Sequence, residues 1–213
     1  MRKSYIKGYA KFQPDPARLV AETIPLDYIT STQMPGYDAA AAWQNLAEQA
    51  EFIRKNRLRF LRLYQQRAAK AIQAGVRAGQ TRFLFEMATG TGKTRTAAAV
   101  IKLFLRTGNA RRVLFLFDRL ELENQANKAV TFLLKNDYKS SIYKENHDDW
   151  REAEIVVTTV QSLLHNNKYR QLFAPPRIPC QMAACWYGLK TSRFWTWWAC
   201  SNLQPASTSP LKT

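Results

Sequence analysis

The chain has 213 residues, of which 32 are Lys or Arg and 16 are Asp or Glu, so its formal net charge is +16 and its pI is near 10.0. This length is enough for one domain with a buried core and some additional segments. The charge excess is typical of a protein that binds a polyanion, with nucleic acid ahead of a membrane surface, and a merely solvated basic surface is the alternative. The sequence contains no signal-peptide pattern and no apolar run of membrane-spanning length, which predicts a cytoplasmic protein without a membrane partner.

Residues 1–50 are predicted to form an N-terminal segment of unknown role. Prolines at positions 14, 16, 25 and 35 interrupt its first part, so we expect it to be irregular there. From "YDAAAAWQNLAEQAEFIRKN" onwards the pattern favours a helix, and Asp38 fits its N-cap. Seven Lys or Arg residues then lie between positions 54 and 70. This run indicates either a solvated helix face or a surface close to phosphates.

Residues 51–174 alternate between apolar runs of strand length and segments of helical periodicity. The predicted strands are "TRFLFEM", "RRVLFLFD" and "EIVVTTV", and "SSIY" fits a further short strand. The first two strands are followed by predicted helices at "KTRTAAAVIKLFLRTGN", which Gly108 and Asn109 would end, and at "RLELENQANKAVTFLLK". This alternation predicts βαβ units and therefore a three-layer α/β domain with a parallel sheet.

Residues 175–213 form a tail of a different composition. The tail contains all three cysteines, four of the six Trp residues and no acidic residue, and the last acid of the whole chain is Glu154. Such a long acid-free stretch is rare in a chain of average composition. Because the tail also lacks a helical or strand period, we expect it to result from a reading-frame change or a truncation. A Trp-rich cap that packs on the sheet is the alternative.

The three cysteines, Cys180, Cys185 and Cys200, are odd in number and loosely spaced. They include no CxxC pair, and no histidine lies near them to complete a zinc site. The sequence therefore predicts free thiols.

The segment "MATGTGKT", residues 87–94, joins the first predicted strand to the first predicted helix. Gly90 and Gly92 would let the backbone direct several N–H groups at one anion, next to the positive end of the helix. Lys93 would reach the β- and γ-phosphates of a nucleotide, and the hydroxyl of Thr94 would ligate Mg²⁺. Met87 stands where the strict GxxxxGK[ST] pattern has its first glycine. Thr89 and Thr91 complete the predicted nucleotide-binding residues, and a plain connecting loop is the alternative.

This loop resembles the first motif of superfamily 2 helicases, in particular of the motor (R) subunit of type I restriction enzymes, in which the first glycine is commonly absent. Three more stretches resemble motifs of that family in the expected order, over about residues 58–164. "RLYQQRA" resembles the glutamine motif, which implies that Gln65 reads the adenine edge. "VLFLFDRLELENQA" implies that Arg119 faces a nucleic-acid backbone, and "EIVVTTVQSLL" implies that Thr159 and Gln161 contact a DNA strand.

The resemblance implies a RecA-like P-loop domain that uses ATP and Mg²⁺. It also implies duplex DNA as a partner, held by backbone contacts that do not read the base sequence. The modification and specificity subunits of a restriction complex are further expected partners. All the motif loops follow carboxyl ends of parallel strands, where open α/β sheets bind their ligands.

The next motif of the family is an apolar strand that ends in Asp-Glu, which supports Mg²⁺ and orients the attacking water. The 213 residues contain no Asp-Glu pair. We therefore expect an incomplete RecA-like domain that binds ATP without hydrolysing it and holds no catalytic residue of its own. One alternative is a non-catalytic nucleotide- or DNA-binding module, and another is a different P-loop NTPase in which Asp118 holds the metal.

Overall fold

The structure, a computed structural model, describes residues 14–32, 34, 36–88, 90–117, 120–134, 136–143, 149–159, 161–162, 182–185 and 194–198. Its helices are α1 (Pro16–Ala21), α2 (Ala41–Gln44), α3 (Leu46–Lys55), α4 (Leu63–Arg77), α5 (Lys93–Arg106), α6 (Leu120–Leu134) and α7 (Asp149–Glu152). Its strands are β1 (Arg82–Glu86), β2 (Val113–Phe117), β3 (Ser140–Ile142), β4 (Ile155–Thr159), β5 (Met182–Cys185) and β6 (Phe194–Trp198). Short 3₁₀ turns occupy Leu26–Tyr28 and Tyr37–Ala39.

The strands form one sheet in the order β1-β6-β5-β2-β4-β3. Strands β5, β2, β4 and β3 pair in parallel, whereas β6 is antiparallel to both of its neighbours, β5 and β1. Strand β1 consequently points in the same direction as the four parallel strands. The carboxyl ends of β1, β2, β4 and β5 therefore meet at one edge of the sheet, and we call this the carboxyl edge. The predicted α/β class with parallel strands is confirmed.

The strands at the centre of the sheet consist of the most apolar sequences. Every residue of β2 and of β4 is buried, as expected for parallel strands that are covered on both faces. In contrast, β1 alternates between exposed and half-buried residues along its length. The three strands predicted over residues 51–174 are all present, and the short "SSIY" strand is present as β3.

Helix α5 is the main apolar helix of the core. It is buried without interruption from Thr96 to Ile101, since small alanines allow close packing against its neighbours, α4 and α6. Each large aliphatic side chain that it buries contributes roughly 1.5–3 kcal/mol relative to an exposed position. The helix ends at Arg106, and Gly108 follows with a φ of 67°. This ending agrees with the prediction from Gly108 and Asn109.

Residues 15–29 pack into the same core, although the sequence pattern placed them in a separate irregular segment. Their buried apolar side chains belong to one cluster with those of α4 and α5. The side chain of Gln73 on α4 donates hydrogen bonds to the carbonyls of Leu19 and Glu22, at 2.7 and 2.8 Å. Glu22 also forms an ion pair with Arg106, with an N–O distance of 2.9 Å. The N-terminal residues are thus fastened to α4 and α5 by polar contacts as well as by burial.

The helix predicted from Asp38 is divided into two helices. Asp38 lies in a 3₁₀ turn, and the chain bends at Asn45 between α2 and α3. The Asn45 side chain accepts a hydrogen bond from the N–H of Ala47 at 3.0 Å and donates one to Glu48 at 2.8 Å. Asn45 is therefore the N-cap of α3, and the predicted cap at Asp38 is wrong. An asparagine inside an alanine-rich run favours this interruption because its amide competes for backbone N–H groups.

Two segments of the tail pair with the sheet. The backbone of β5 lies beside β2, with Cys185 opposite Leu116, and the backbone of β6 lies beside β1, with Trp198 opposite Arg82. The sequence pattern did not predict these strands. A reading-frame change as the origin of the tail stays a prediction, and Cys180, Cys200 and most other tail residues lie outside the described residues.

Within the described segments, no helix is both long enough and apolar enough to cross a bilayer.

Candidate nucleotide-binding site

The loop between β1 and α5 lies at the carboxyl edge of the sheet. Gly90 and Gly92 have φ values of 79° and 77°, in the left-handed region, where an L-residue loses about 1–2 kcal/mol. The N–H and the hydroxyl of Thr91 both donate to the carbonyl of Ala88, at 3.4 and 2.7 Å, and close the loop as a tight turn. Thr89 lies outside the described residues. The glycines at these positions are therefore required by the shape of the backbone.

Gly92 is the N-cap residue of α5 and has no side chain that could cap the helix. Lys93 and Thr94 are the first two residues of this 14-residue helix. A helix start carries a partial positive charge, which attracts an anion, and here a lysine adds a full charge at the same place. The loop, the helix start and the lysine are together suited to a phosphate group.

Lys93 is buried to an unusual degree for a lysine, with only 8% of its surface exposed. Burial lowers the pKa of its ammonium group from the ordinary value, because the charged form loses hydration. An anionic ligand at the loop would compensate this loss. Thr94 is half-buried and lines the same cleft as Gly90, Thr91 and Gly92.

The side chain of Gln65 stabilises this loop through hydrogen bonds to its backbone. Only 2% of the residue is exposed, and its Nε2 donates to the carbonyls of Thr91 and Gly92 at 3.0 and 3.3 Å. Its Oε1 accepts a hydrogen bond from the N–H of Arg62 at 2.9 Å. The hydroxyl of Tyr64 donates to the same Thr91 carbonyl at 2.5 Å. The start of α4 thus fixes the loop through two neighbouring side chains.

The amide of Gln65 is therefore engaged with the protein in this structure. Its two N–H groups contact loop carbonyls and its oxygen caps α4. A direct contact with the adenine edge, which the family resemblance implies, stays a prediction, and it requires these bonds to be exchanged.

The close contact between Gly92 and Gln65 leads to a stability prediction. A Cβ atom at Gly92 would lie 2.6 Å from Nε2 of Gln65, whereas a Cβ at Gly90 would meet nothing within 4 Å. Both Gly90→Ala and Gly92→Ala should lose about 1–2 kcal/mol through left-handed backbone strain. Gly92→Ala should lose about 1–3 kcal/mol more, because it displaces the buried Gln65 amide. Denaturant unfolding of the two variants measures this difference, and equal unfolding free energies would contradict the contact.

The loop opens into a cleft of about 1250 Å³. One wall is the segment from Arg57 to Arg62 between α3 and α4, and Arg95 of α5 is bonded to it. Arg95 donates to the carbonyl of Phe60 at 3.2 Å and to the hydroxyl of Ser31 at 2.6 Å. Further lining residues come from α3, from the residue that follows it and from α6: Ile53, Asn56, Ala129, Phe132 and Leu133. Among the described residues, no acidic side chain lines the cleft.

The residues expected to contact DNA are only partly described. Thr159 ends β4 at the carboxyl edge, and it is fully buried. Its hydroxyl donates to Oγ of Ser162 at 2.9 Å and accepts from the N–H of Ser162 at 3.0 Å, so it caps the turn after the strand. Gln161 in this turn is exposed. Arg119 and Asp118 lie outside the described residues, and the DNA-contacting roles of Arg119, Thr159 and Gln161 stay predictions.

In the described parts of the chain, no group of three or more His, Cys, Asp or Glu side chains is placed to hold a metal ion. Strand β5, which lies parallel to β2 on the side opposite β4, consists of Met182, Ala183, Ala184 and Cys185 and contains no acid. Thr94 is the predicted magnesium ligand that lies within the described residues, and it lines the cleft beside the loop. Asp118, the alternative metal ligand, lies outside them.

Sequence reasoning missed several side chains that shape the site. Tyr64 and Arg95 fix the loop and the cleft wall through single hydrogen bonds to backbone carbonyls, and such contacts leave no periodic signal. Arg57, Arg59 and Arg62 belong to the basic run between positions 54 and 70, which indicates either a solvated helix face or a surface close to phosphates. The apolar residues between them, Leu58 and Phe60, are a signal that could have indicated an extended, half-buried segment.

The glycine loop between a strand and a buried helix, with Lys and Thr at the start of the helix, defines a P-loop α/β domain. The chain belongs to the family described as "Type III restriction enzyme, res subunit", whose profile matches residues 59–180, more than half of the chain. This membership confirms the resemblance to a helicase-like motor domain and the RecA-like fold.

Two curated relatives from Escherichia coli are similar to parts of the chain. The chain is 40% identical over 109 residues to the "Type I restriction enzyme EcoKI endonuclease subunit" of strain K12. This match covers 49% of this chain and 9% of that protein. It is 45% identical over 64 residues to the "Type I restriction enzyme EcoAI endonuclease subunit". This second match covers 30% of this chain and 8% of that protein. The matched parts thus span less than a tenth of each relative.

Proposed function

We propose that this chain is the ATP-binding portion of an ATP-dependent DNA translocase of a type I restriction-modification system. The observation that carries the proposal is the loop at Gly90 and Gly92, which leads into a buried helix that begins with Lys93 and Thr94. Membership of the restriction-subunit family and the similarity to type I endonuclease subunits support it.

The residues at the loop fit a nucleoside triphosphate with Mg²⁺. The turned backbone offers N–H groups, and the start of α5 adds its partial charge. Lys93 binds the β- and γ-phosphates, and the Thr94 hydroxyl is a ligand for the metal. Magnesium, when bound, neutralises phosphate charge. Gln65 and Tyr64 keep the loop in shape for this contact.

Binding without turnover is the second part of the proposal. Hydrolysis in this class of domain needs an acidic pair that supports the metal and orients water, and the 213 residues contain no Asp-Glu sequence. The strand β5 beside β2 is free of acids as well. We therefore expect these residues alone to hold ATP and to leave the reaction to groups that they do not contain.

An ATPase assay with Mg-ATP, with and without duplex DNA, tests this expectation. No phosphate release above the blank should appear under either condition, while ATP binding is measurable in the same preparation. Turnover that disappears in Asp118→Asn would contradict the proposal and favour a P-loop NTPase that uses the acid at the end of "VLFLFD". The Asp118→Asn variant thus distinguishes an ATP-binding portion without turnover from a P-loop NTPase that depends on Asp118.

The proposed partners are duplex DNA and the modification and specificity subunits of a restriction complex. The net charge of +16 supports a polyanion as one partner. Arg119, Thr159 and Gln161 are the proposed DNA contacts, at or just after the carboxyl ends of β2 and β4. Because Thr159 is fully buried and bonded to Ser162, its contact requires these bonds to be exchanged. Contacts with phosphates hold DNA without reading its sequence, which a moving motor requires.

A further inference from the structure

Residues 15–32, which we call the strap, run antiparallel along the whole of α5. Four side-chain contacts follow one another in this order: Asp15 with Asn109, Glu22 with Arg106, Tyr28 with Lys102, and Ser31 with Arg95. Since α5 has 14 residues and a helix rises about 1.5 Å per residue, the strap spans roughly 21 Å. One of its ends therefore lies past the end of α5, and the other lies beside the phosphate loop.

Ser31 joins the strap to two walls of the cleft at the phosphate loop. Its hydroxyl accepts a hydrogen bond from the guanidinium of Arg95 at 2.6 Å, and its N–H donates to the carbonyl of Arg59 at 3.0 Å. Arg95 follows Lys93 by two residues in the first turn of α5, whereas Arg59 lies between α3 and α4. Ser31 and Leu26 also line the cleft. The strap is thus a part of the cleft wall.

The guanidinium of Arg95 connects the strap with the segment between α3 and α4. Its Nη2 binds the hydroxyl of Ser31, and its Nη1 donates to the carbonyl of Phe60 at 3.2 Å. We call these two hydrogen bonds the Arg95 bridge. Because a guanidinium group is planar and its donors have a fixed geometry, the bridge sets the distance between the two segments. A lysine would keep the charge without this geometry.

Arg95 carries a positive charge that its described surroundings do not balance. Both acceptors of the Arg95 bridge are neutral, and none of the ion pairs within the described residues includes Arg95. Burial lowers the pKa of Arg95, and the like charges of Arg59 and Arg62 lower it further. An anionic ligand in the cleft would relieve this repulsion and strengthen the contact between α5, the strap and the segment between α3 and α4.

We propose that Ser31 is a positioning residue of the nucleotide site, through which docking of the strap and binding of ATP strengthen each other. This role rests on the proposed function, because ATP is the ligand assigned to the cleft there. The phosphates of ATP bring negative charge to the start of α5, next to the Arg95 bridge. Coupling between two sites is reciprocal, so the factor by which the docked strap raises ATP affinity is also the factor by which ATP favours docking.

Calorimetric titration with Mg-ATP tests the role of the Ser31 hydroxyl. Ser31→Ala should weaken ATP binding roughly five- to tenfold, at the lower end of the range that is usual for coupled sites. Ser31→Thr keeps a hydroxyl and should bind ATP within twofold of the unaltered protein. An equal loss of affinity in Ser31→Thr and Ser31→Ala would contradict a role of the hydroxyl.

Thr32→Ala is the matched control, since it also removes a hydroxyl from the strap. Thr32 accepts a hydrogen bond from the N–H of Met34 at 3.1 Å and is not among the residues that line the cleft. Its ATP affinity should stay within twofold of the unaltered protein. The same loss of affinity in Thr32→Ala and Ser31→Ala would overturn the proposal, because any weakening of the strap would then have this effect.

A double-mutant cycle tests whether Ser31 acts through Arg95. Arg95→Lys should weaken ATP binding at least as much as Ser31→Ala, although it preserves the positive charge. Because both substitutions break the Arg95 bridge, the variant that combines them should bind ATP no more weakly than Arg95→Lys alone. Additive losses would show that the two residues act separately, and the proposal would be wrong.

Hydrogen exchange distinguishes positioning from a general loss of stability. Mg-ATP should slow exchange of the Ser31 amide, which donates to Arg59, in the unaltered protein and in Thr32→Ala. In Ser31→Ala the amide at position 31 should exchange at nearly the same rate with and without Mg-ATP. Equal ATP-dependent slowing in Ser31→Ala and the unaltered protein would show that Ser31 stabilises the strap only, and would overturn the proposal.

Lys93→Ala separates a failure of this proposal from a failure of the proposed function. ATP binding that Lys93→Ala removes and Ser31→Ala leaves unchanged would overturn the role of Ser31 and support the nucleotide site. An unaltered protein that binds no Mg-ATP would contradict both.

Discussion

Replacement of Lys93 by alanine is expected to remove measurable ATP binding. Lys93 begins α5 at the end of the phosphate loop, and only 8% of its surface is exposed. Hydrogen bonds with charged groups contribute about 1.5–3 kcal/mol each, so the loss of contacts with two phosphates should weaken binding by roughly a hundredfold or more. Calorimetric titration with Mg-ATP measures the change.

Lys102→Ala is the matched control for this experiment. Lys102 lies on the same helix, but its ammonium pairs with Asp137 at 2.8 Å and not with the loop. This variant should bind ATP as the unaltered protein does, even if its melting temperature falls slightly. Unchanged ATP affinity in Lys93→Ala would refute the assignment of the site.

Gln65→Ala is expected to weaken ATP and GTP binding by the same factor. The Gln65 amide supports the Thr91 and Gly92 carbonyls, so its removal loosens the loop that holds the phosphates, whatever the base is. Loss of these buried hydrogen bonds costs about 1–3 kcal/mol, which corresponds to roughly a five- to hundredfold weaker affinity. Parallel titrations with ATP and GTP measure both effects.

Gln66→Ala provides the control, because Gln66 is the neighbouring buried glutamine of α4 and donates to the carbonyl of Ile24 at 3.0 Å, away from the loop. It should lower stability and leave the nucleotide affinity of the folded protein unchanged. If Gln65→Ala weakened ATP binding and left GTP binding intact, the adenine-reading role implied by the family resemblance would be correct and the loop-supporting role insufficient.

The sequence predicted those elements whose patterns arise from local burial. The strands at Val113–Phe117 and Ile155–Thr159 are continuous apolar runs, and the helix after Gly92 has apolar residues at helical spacing. Each pattern has one simple physical origin, namely removal of apolar side chains from water. The loop geometry was also predictable, since two glycines in the left-handed region leave few alternatives.

Features that depend on distant contacts were not predictable in the same way. Leu19 and Ile29 enter the core because Gln73 and Arg106 hold the N-terminal residues, and these partners are far apart in sequence. The pairing of β6 with β1 likewise connects segments more than a hundred residues apart. Local periodicity carries no information about such partners, so the sequence left them open.

In the candidate site, too, the motif residues were predictable and the contacts between distant residues were not. The positions of Lys93 and Thr94 followed from the motif, whereas the buried Gln65 amide donates to backbone carbonyls of the phosphate loop and the buried Thr159 hydroxyl caps its own turn. A motif identifies which residues lie at the carboxyl edge of the sheet. It does not distinguish a side chain that contacts a ligand from one that holds the backbone around it.

Hydrogen exchange of the backbone amides, measured with and without Mg-ATP, tests the central claim most directly, because it locates the nucleotide. Phosphate binding by the loop should slow exchange in residues 90–96, with little change at the far end of α5 near Arg106. Arg77 at the far end of α4 provides an internal reference that should not respond. Slowed exchange confined to other segments, or no change in residues 90–96 at saturating Mg-ATP, would contradict the account.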